Sequence, residues 1–164
     1  MDNKDLLKYI DEQNILYTYI EHPPVYTCEE ADRYTGHYPG VGTKNLFLSN
    51  HKSDRYYILM TLTALKINFK SLQKMLMQKK LKLSSLEDTR EYLGIEPGAV
   101  SIFSIVNDKS KQVEVILDER LYGYKLVQTH PLINTTTLII SMKNIELFLY
   151  TFGIRYQILK IPAV

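Results

Sequence analysis

Short apolar runs, each bounded by proline, glycine or polar turn residues, constrain the fold of this chain more than any other feature. Their length and their content of β-branched and aromatic residues are typical of β-strands. The predicted strands fall at residues 16–20, 44–48, 56–62, 99–106, 112–118, 134–140 and 155–161. The run at 112–118 is expected to pair with the run at 99–106 around a turn at Asn107 and Asp108.

Capping residues and amphipathic patterns predict helices between these strands. Thr27, Asn68 and Ser141 can each accept a backbone hydrogen bond at a helix start, while Gly94 can end a helix in a left-handed turn. The predicted helices cover residues 3–14, a short segment after Thr27, 69–79, 85–93 and the segment from Ser141 to Gly153. Since helices and strands mingle without strict alternation, the predicted fold class is α/β (α+β), a mixed β-sheet with flanking helices.

Composition favours one folded domain spanning residues 1–164. Hydrophobic residues make up 45% of the chain, which is enough for a core in a domain of this length. The single cysteine, Cys28, excludes an internal disulfide framework and favours a reducing compartment. No run approaches the roughly 18 apolar residues of a membrane span, and the charged first residues lack an apolar signal core. A cytoplasmic protein that does not enter a membrane is therefore expected.

The net charge of +2 is too small to indicate nucleic-acid binding from totals alone, but the lysines are unevenly spread. Three of them recur every four residues and would share one face of a helix, and three more follow directly. The members of this lysine-rich segment are Lys66, Lys70, Lys74, Lys79, Lys80 and Lys82. Two interpretations stay open, a patch that binds phosphates and an ordinary solvated helix face.

Several common catalytic motifs are absent from the sequence. There is no Walker-type loop, and the glycines lack the spacing of a dinucleotide fingerprint. The histidines lack the close helical pairing of zinc hydrolases, and one cysteine cannot form a structural zinc site. Cys28 could be a nucleophile, but without a recognisable base nearby in sequence an incidental thiol is the favoured interpretation. No metal and no cofactor are predicted.

Two polar segments beside apolar runs could carry chemistry. Lys44 and Asn45 open an apolar strand, where burial of an ammonium without a partner would be costly. This lysine could clamp an ester, phosphate or ribose oxygen, or it could be a strand-edge lysine whose head reaches solvent. The segment from His130 to Asn134 could line a pocket, or its Asn and Thr side chains could simply satisfy the backbone of a turn. In both cases the residues alone favour the second interpretation.

The order of six segments along the chain favours the functional interpretation of Lys44 and His130. They are His22–Val25 with Thr27 and Glu29–Ala31, Lys44–Leu48, Leu93–Val100, Asn107–Asp108, Leu117–Asp118, and His130–Leu132 with Asn134 and Thr137. Together, over residues 15–160, they resemble the prolyl-tRNA editing family, the YbaK/ProX type of aminoacyl-tRNA deacylase. The resemblance is greatest to the free-standing branch that removes alanine from proline tRNA.

The resemblance implies hydrolysis of the ester between an amino acid and the terminal adenosine of a tRNA, with water and without a metal or cofactor. The implied catalytic residues are Lys44, which matches the family's key lysine, Asn45 beside it, and the pocket histidine His130. The implied substrate-binding residues are Thr27, Gly98, Ala99, Val100, Asp118, Thr129 and Asn134. The implied partner is the acceptor end of tRNA, with tRNA(Pro) favoured and prolyl-tRNA synthetase as a candidate. The oligomeric state stays open.

Three positions depart from the family pattern. Ile102 stands where the glycine-rich loop usually closes with proline, Gly42 where a histidine is common, and Thr129 in place of the usual neighbour of the pocket histidine. The last two changes bear on which amino acid is removed more than on the reaction. Alternatives therefore stay open, namely the same fold acting on cysteinyl- or seryl-tRNA, a non-catalytic module that binds tRNA or a synthetase, and an unrelated domain.

Overall fold

A computed structural model describes residues 1–164, apart from the side chain of Pro97. The helices are α1 (Asn3–Glu12), α2 (Cys28–Thr35), α3 (Phe69–Met75), α4 (Leu86–Leu93) and α5 (Met142–Thr151). The strands are β1 (Thr18–Glu21), β2 (Val41–Asn50), β3 (Tyr56–Leu62), β4 (Leu81–Leu83), β5 (Val113–Asp118), β6 (Val127–Thr129), β7 (Thr136–Ile140) and β8 (Tyr156–Leu159). Short 3-10 helices cover Pro97–Ala99, Ile102–Asn107 and Glu119–Gly123.

The strands form one mixed sheet, in the order β1-β7-β6-β2-β3-β5-β8, with β4 paired to the end of β2. The β6–β2, β3–β5 and β5–β8 pairs are parallel, and the others are antiparallel. This architecture confirms the predicted mixed sheet with flanking helices. Among the described residues, no helix combines the length and the apolar character needed to cross a bilayer.

The two faces of the sheet pack against different partners, because successive side chains of a strand point to opposite faces. On the first face, strand residues such as Ile58 and Val115 pack against the buried residues of α1, α4 and α5. On the second face, residues such as Leu59 and Ile116 pack against Leu72 of α3. The same alternation assigns each polar residue of a strand to one face or the other.

Local sequence signals located most helix ends correctly. The side chains of Thr27, Asn68 and Ser141 accept the backbone N–H groups of Glu30, Ser71 and Asn144, as predicted for N-caps. Gly94 ends α4 in the left-handed region, at φ 62°. The hairpin between β2 and β3 is closed by Asn50, which donates its N–H to the carbonyl of Arg55.

Two predictions about secondary structure were wrong. Residues 102–107 form a 3-10 helix and not a strand paired with 112–118, and β5 instead lies between β3 and β8. Ser101 explains the turn, because its side chain accepts the N–H of Phe103 and its carbonyl accepts the N–H of Ser104. Short apolar runs of this kind are compatible with either structure when they are fully buried.

Helix α3 is shorter than predicted, since it ends at Met75 and Met77 has a left-handed φ of 54°. It also begins only at Phe69, so Lys66 precedes the helix and does not share a helical face with Lys70 and Lys74. Strands β4 and β6, three residues each, were not predicted.

Candidate active site

The parallel pairing of β2 with β6 brings the two predicted catalytic segments together. Val41 lies opposite Val127, and Gly42 lies opposite Gln128. Lys44 follows the last of these pairs by two residues on β2, and His130 follows it by two residues in the segment directly after β6. The strands stay in contact beyond the last ladder pair, because the hydroxyl of Thr43 donates to the carbonyl of Gln128 at 2.7 Å.

The Lys44 side chain lies on the second face and is partly buried. Its Nζ donates a hydrogen bond of 2.6 Å to the carbonyl oxygen of Leu65. An ammonium has three N–H donors, so two remain after this bond. No ion pair among the described residues includes Lys44. Its positive charge is therefore positioned by a neutral carbonyl and is not cancelled by a carboxylate.

Asn45 points to the opposite face and joins the two other polar segments. Its Oδ1 accepts the backbone N–H of Ile102 at 3.0 Å, and its Nδ2 donates to the hydroxyl of Thr129 at 3.4 Å. Proline has no backbone N–H, so a proline at position 102 could not make the first of these bonds. The departure from the family pattern at Ile102 thus provides a hydrogen bond that fixes the end of the glycine-containing loop. These contacts give Asn45 a positioning task, and its predicted catalytic role stays a prediction.

The turn at Gly98, Ala99 and Val100 lies between two other loops. A Cβ atom on Gly98 would lie 3.6 Å from the ring of Tyr26. At the other end, the hydroxyl of Ser101 donates to the carbonyl of His130 at 2.6 Å. The turn is therefore held beside His130 on one side and beside the segment before α2 on the other.

His130 is largely buried, although part of it reaches the surface, and one of its ring nitrogens is fixed by the backbone. The Nδ1 atom lies 3.1 Å from the carbonyl oxygen of Pro131. A carbonyl can only accept, so Nδ1 carries the proton and Nε2 of the neutral ring is an acceptor. Burial lowers the pKa of His130 below its usual range, and the His22 imidazole lowers it further, while the bond to Pro131 opposes both. Neutral His130 at pH 7 thus offers an Nε2 lone pair with no hydrogen-bond partner among the described side chains.

His22 is a second histidine near the site, and the sequence did not identify it as a site residue. Its Nδ1 donates to the carbonyl of Pro23 at 2.9 Å, and its Nε2 accepts from the hydroxyl of Thr137 at 2.9 Å. Its ring stacks on Tyr34 of α2, with centroids 5.9 Å apart. The only sequence signal for this residue was its membership of the His22–Val25 segment in the family resemblance.

Four of the predicted substrate-binding residues already have protein contacts. Thr27 caps α2, and Thr129 accepts from Asn45. The Nδ2 of Asn134 donates to the carbonyl of Val25, which ties the loop after His130 to the segment before α2. These bonds give each side chain a structural task, and their contacts with substrate stay predictions.

Asp118, the fourth, differs from the other predicted substrate-binding residues because it is fully buried. Its carboxylate accepts from the hydroxyl of Thr61 at 2.5 Å, from the N–H of Arg120 at 3.1 Å and from the Arg120 guanidinium at 3.2 Å. The same guanidinium donates to the carbonyl of Ile161 at 2.8 Å. These contacts indicate that Asp118 organises the second face of the sheet, and its contact with substrate stays a prediction.

Two clefts lie away from Lys44 and His130. One, of about 890 Å³, lies between residues 105–115 and 152–157. The other, of about 560 Å³, lies between α1 and β1 and reaches His22. Neither is lined by the predicted catalytic residues, and the candidate site is defined by its converging polar groups.

Comparison with known proteins gives matches along most of the chain. The family model of the aminoacyl-tRNA editing domain matches residues 22–148. The prolyl-tRNA editing protein ProX of Acetoanaerobium sticklandii is 37% identical over 147 residues, which cover 89% of this chain and 90% of that protein. The prolyl-tRNA synthetase associated domain-containing protein 1 of Danio rerio is 30% identical over 148 residues, which cover 89% and 80%.

A solved structure described as a candidate trans-editing enzyme for prolyl tRNA synthetase has the same fold. It superposes with a TM-score of 0.72 at 18% identity, covering 100% of this chain and 99% of that one. At this level of identity, the likeness concerns the fold alone.

Proposed function

This chain belongs to the aminoacyl-tRNA editing domain family, and from that premise we propose that it hydrolyses the ester bond between a mischarged amino acid and the 3′ end of its tRNA. The 37% identity to a prolyl-tRNA editing protein over most of both chains supports this reaction. In finer detail, we propose that the substrate is alanyl-tRNA(Pro) and that the protein acts in the cytoplasm as a free-standing enzyme. Prolyl-tRNA synthetase, which charges this tRNA, is the candidate protein partner.

The observation that supports the proposal most is the convergence of the segments that carry Lys44 and His130. Strands β2 and β6 pair in parallel just before these two residues, and the hydroxyl of Ser101, which follows the turn at residues 97–99, donates to the carbonyl of His130. A cation without a carboxylate partner, a neutral imidazole and a turn with backbone N–H groups are thus contributed by three segments that are distant in sequence. This set suits an acyl ester attached to an anionic chain, because each group can bind a different part of it.

The reaction needs no covalent enzyme intermediate, because an aminoacyl ester is already activated. Water adds to the ester carbonyl, the bond from the carbonyl carbon to the ribose oxygen breaks, and that oxygen takes a proton. The free ribose hydroxyl of the tRNA and backbone carbonyl groups can orient the water. In this scheme Lys44 holds the terminal adenosine or its phosphate. The N–H of Ala99 already donates to Glu96, so the N–H of Gly98 is the candidate that stabilises the oxyanion.

His130 has two tasks in this proposal. Its ring limits the volume available to the amino acid, so that alanine fits and the proline ring collides with it. Its Nε2, an acceptor while the ring is neutral, can take a hydrogen bond from the α-ammonium group of the substrate. Exclusion by collision is needed because one methylene in an apolar pocket changes the binding free energy by only about 1–3 kcal/mol.

The test of the proposed function is deacylation of alanyl-tRNA(Pro) by the purified protein, compared with prolyl-tRNA(Pro) under the same conditions. We expect rapid release of alanine and little release of proline. Cysteinyl- and seryl-tRNA serve as further substrates, and faster release from either of them would reassign the substrate. Binding of tRNA without release of any amino acid would contradict the enzymatic function and favour a binding module.

The steric task of His130 predicts a change of specificity. In His130→Ala, the rate of prolyl-tRNA(Pro) hydrolysis is expected to rise roughly ten-fold or more, since the excluded volume is removed. The measurement is the ratio of kcat/KM for prolyl- and alanyl-tRNA(Pro). His51→Ala, which changes an exposed histidine of the β2–β3 hairpin, is the matched control and should keep the wild-type ratio. Continued protection of prolyl-tRNA in His130→Ala would remove the steric assignment.

A further inference from the structure

The positive charge of this chain is concentrated in one continuous segment. Between Asp54 and Glu87 there is no acidic residue, although the chain as a whole has 18 Asp and Glu against 20 Lys and Arg. The basic residues of this segment are Arg55, Lys66, Lys70, Lys74, Lys79, Lys80 and Lys82. Since the net charge is only +2, the rest of the chain is net negative. The small net charge of the chain is thus the sum of one strongly positive segment and a net negative remainder.

The six lysines of this segment, here called the lysine patch, are all exposed. Lys70 and Lys74 lie one turn apart on α3, whose Leu72 is buried against the second face of the sheet. Lys79 and Lys80 follow the helix, and Lys82 lies on β4. The patch therefore follows α3 and the segment after it to β4, where the pairing of Lys82 with Ser49 puts its side chain on the first face of the sheet, opposite α3.

The charge of the patch is not neutralised within the protein. The ion pairs among the described residues include none of its lysines, whereas Arg55 in the same segment is paired with Glu114 at 2.7 Å. The acids that flank the segment are Asp54 and Glu87, and Asp54 accepts a hydrogen bond from Asn50. Exposed like charges of this density favour an anionic partner, because binding releases the counterions of a polyanion.

The patch is continuous with the candidate active site. The ammonium of Lys44 contacts the carbonyl of Leu65, and Leu65 directly precedes Lys66, the first lysine of the patch. Lys44 and Leu72 of α3 also lie on the same face of the sheet. A polyanion held by its end at Lys44 can therefore extend toward Lys66 and the two lysines of α3.

We propose that the lysine patch binds the sugar-phosphate backbone of the tRNA acceptor arm, beyond the terminal nucleotide held at the active site. This inference rests on the proposed function, which supplies the identity of the polyanion. Lysine ammonium groups are strongly hydrated point charges on flexible stems, which suits contact with phosphates without reading of the bases. The patch then contributes affinity for tRNA in general, whereas the choice among amino acids is made at His130.

The test compares two triple variants of the full chain. The patch variant is Lys70→Gln, Lys74→Gln and Lys79→Gln. The control variant is Lys4→Gln, Lys109→Gln and Lys143→Gln, which removes the same charge from exposed lysines outside the segment. The probes are an uncharged tRNA(Pro) transcript, whose Kd is measured from low to moderate salt, and two alanyl esters, full-length alanyl-tRNA(Pro) and an alanylated CCA trinucleotide.

For the patch variant, we expect the slope of log Kd against log salt concentration to fall by about 2–3 units, roughly one for each phosphate that a lysine no longer neutralises. Its KM for alanyl-tRNA(Pro) should rise roughly ten-fold or more at low salt, while its rate on the alanylated trinucleotide stays at the wild-type level. The control variant should show the wild-type salt slope and the wild-type KM. The melting temperatures of both variants should match that of the wild type.

The outcomes separate this inference from the proposed function. A patch variant with the wild-type salt slope and KM would overturn the inference, even if alanyl-tRNA(Pro) is hydrolysed. An equal decrease of affinity in both triple variants would also overturn it, because the effect would then depend on net charge and not on position. If the wild-type protein releases alanine from neither ester, the proposed function fails, and the salt slope for the uncharged transcript still decides whether the patch binds RNA.

Discussion

Replacing Lys44 with alanine is expected to lower kcat/KM for alanyl-tRNA(Pro) hydrolysis by roughly 10²–10³-fold, the usual effect of removing one group that stabilises charge in an active site. The physical reason is the state of the ammonium group. It is partly buried, it is positioned by the carbonyl of Leu65, and no ion pair among the described residues neutralises it. Its remaining donors can therefore act on the terminal phosphate or ribose of the substrate.

A second variant separates the charge of Lys44 from its packing. Lys44→Met keeps an unbranched apolar stem and removes the ammonium, so its activity should fall nearly as far as that of Lys44→Ala. Lys143→Ala, at an exposed position of α5, is the control for removal of one positive charge. The measurement is the initial rate of alanine release at several concentrations of alanyl-tRNA(Pro). If Lys44→Met retains activity within about three-fold of the wild type, Lys44 is a strand-edge lysine with no part in the reaction.

The second large effect is expected in stability and not in catalysis. Asp118→Ala should lower the free energy of unfolding by about 3 kcal/mol, since removal of one partner leaves a charged group without its counterion in a buried environment. The carboxylate is fully buried and holds Thr61, the N–H of Arg120 and the Arg120 guanidinium. For a chain of this size, the melting temperature should fall by roughly 6–12 °C.

Thermal and urea unfolding of Asp118→Ala and of Glu119→Ala measure this effect. Glu119 is exposed and adjacent in sequence, so its replacement should change the free energy of unfolding by less than about 0.5 kcal/mol. The result also decides between two tasks for Asp118. A variant with wild-type stability and reduced affinity for alanyl-tRNA(Pro) would establish Asp118 as a substrate-binding residue and contradict the structural task.

Lys44 and Asp118 lie in the same row of side chains on the second face of the sheet, but they have different roles. Lys44 is paired with Thr61 in the β2–β3 register, and Thr61 donates to Asp118 on the next strand. The Asp118 carboxylate already accepts hydrogen bonds from Thr61 and Arg120. The Lys44 ammonium, among the described residues, donates only to the neutral carbonyl of Leu65. A single row of side chains thus runs from a buried anchor at β5 to a cation at β2, beside the entry to the lysine patch.

Local features of the structure were predictable from the sequence because they depend on contacts between near neighbours. The N-caps at Thr27, Asn68 and Ser141 each join a side chain to an N–H group three residues later. Gly94 supplies a positive φ at no steric cost. The bounds of β3 also agree with the predicted run at residues 56–62. In each case the stabilising interaction lies within a few residues of the signal.

The family resemblance predicted the site residues but could not say how their side chains are arranged. Sequence order associated Lys44 with Asn45, yet the pleat of β2 sends their side chains to opposite faces. One is a cation bonded to the carbonyl of Leu65, and the other is a clamp between Ile102 and Thr129. The resemblance likewise included Asp118 among the substrate-binding residues, although its oxygens are already occupied by protein donors.

The sequence by itself determined the mixed fold, the helix caps, the family and the segregated lysines, since these follow from local propensity, from the order of motifs and from the distribution of charge. Only the tertiary structure decided that residues 102–107 are helical, that β6 exists, and that the segments before Lys44 and His130 pair in parallel. The contact between Thr43 and Gln128 joins residues 85 positions apart. Such a parallel pair has no local signal, because its stability comes from packing between strands that meet only when the whole sheet forms.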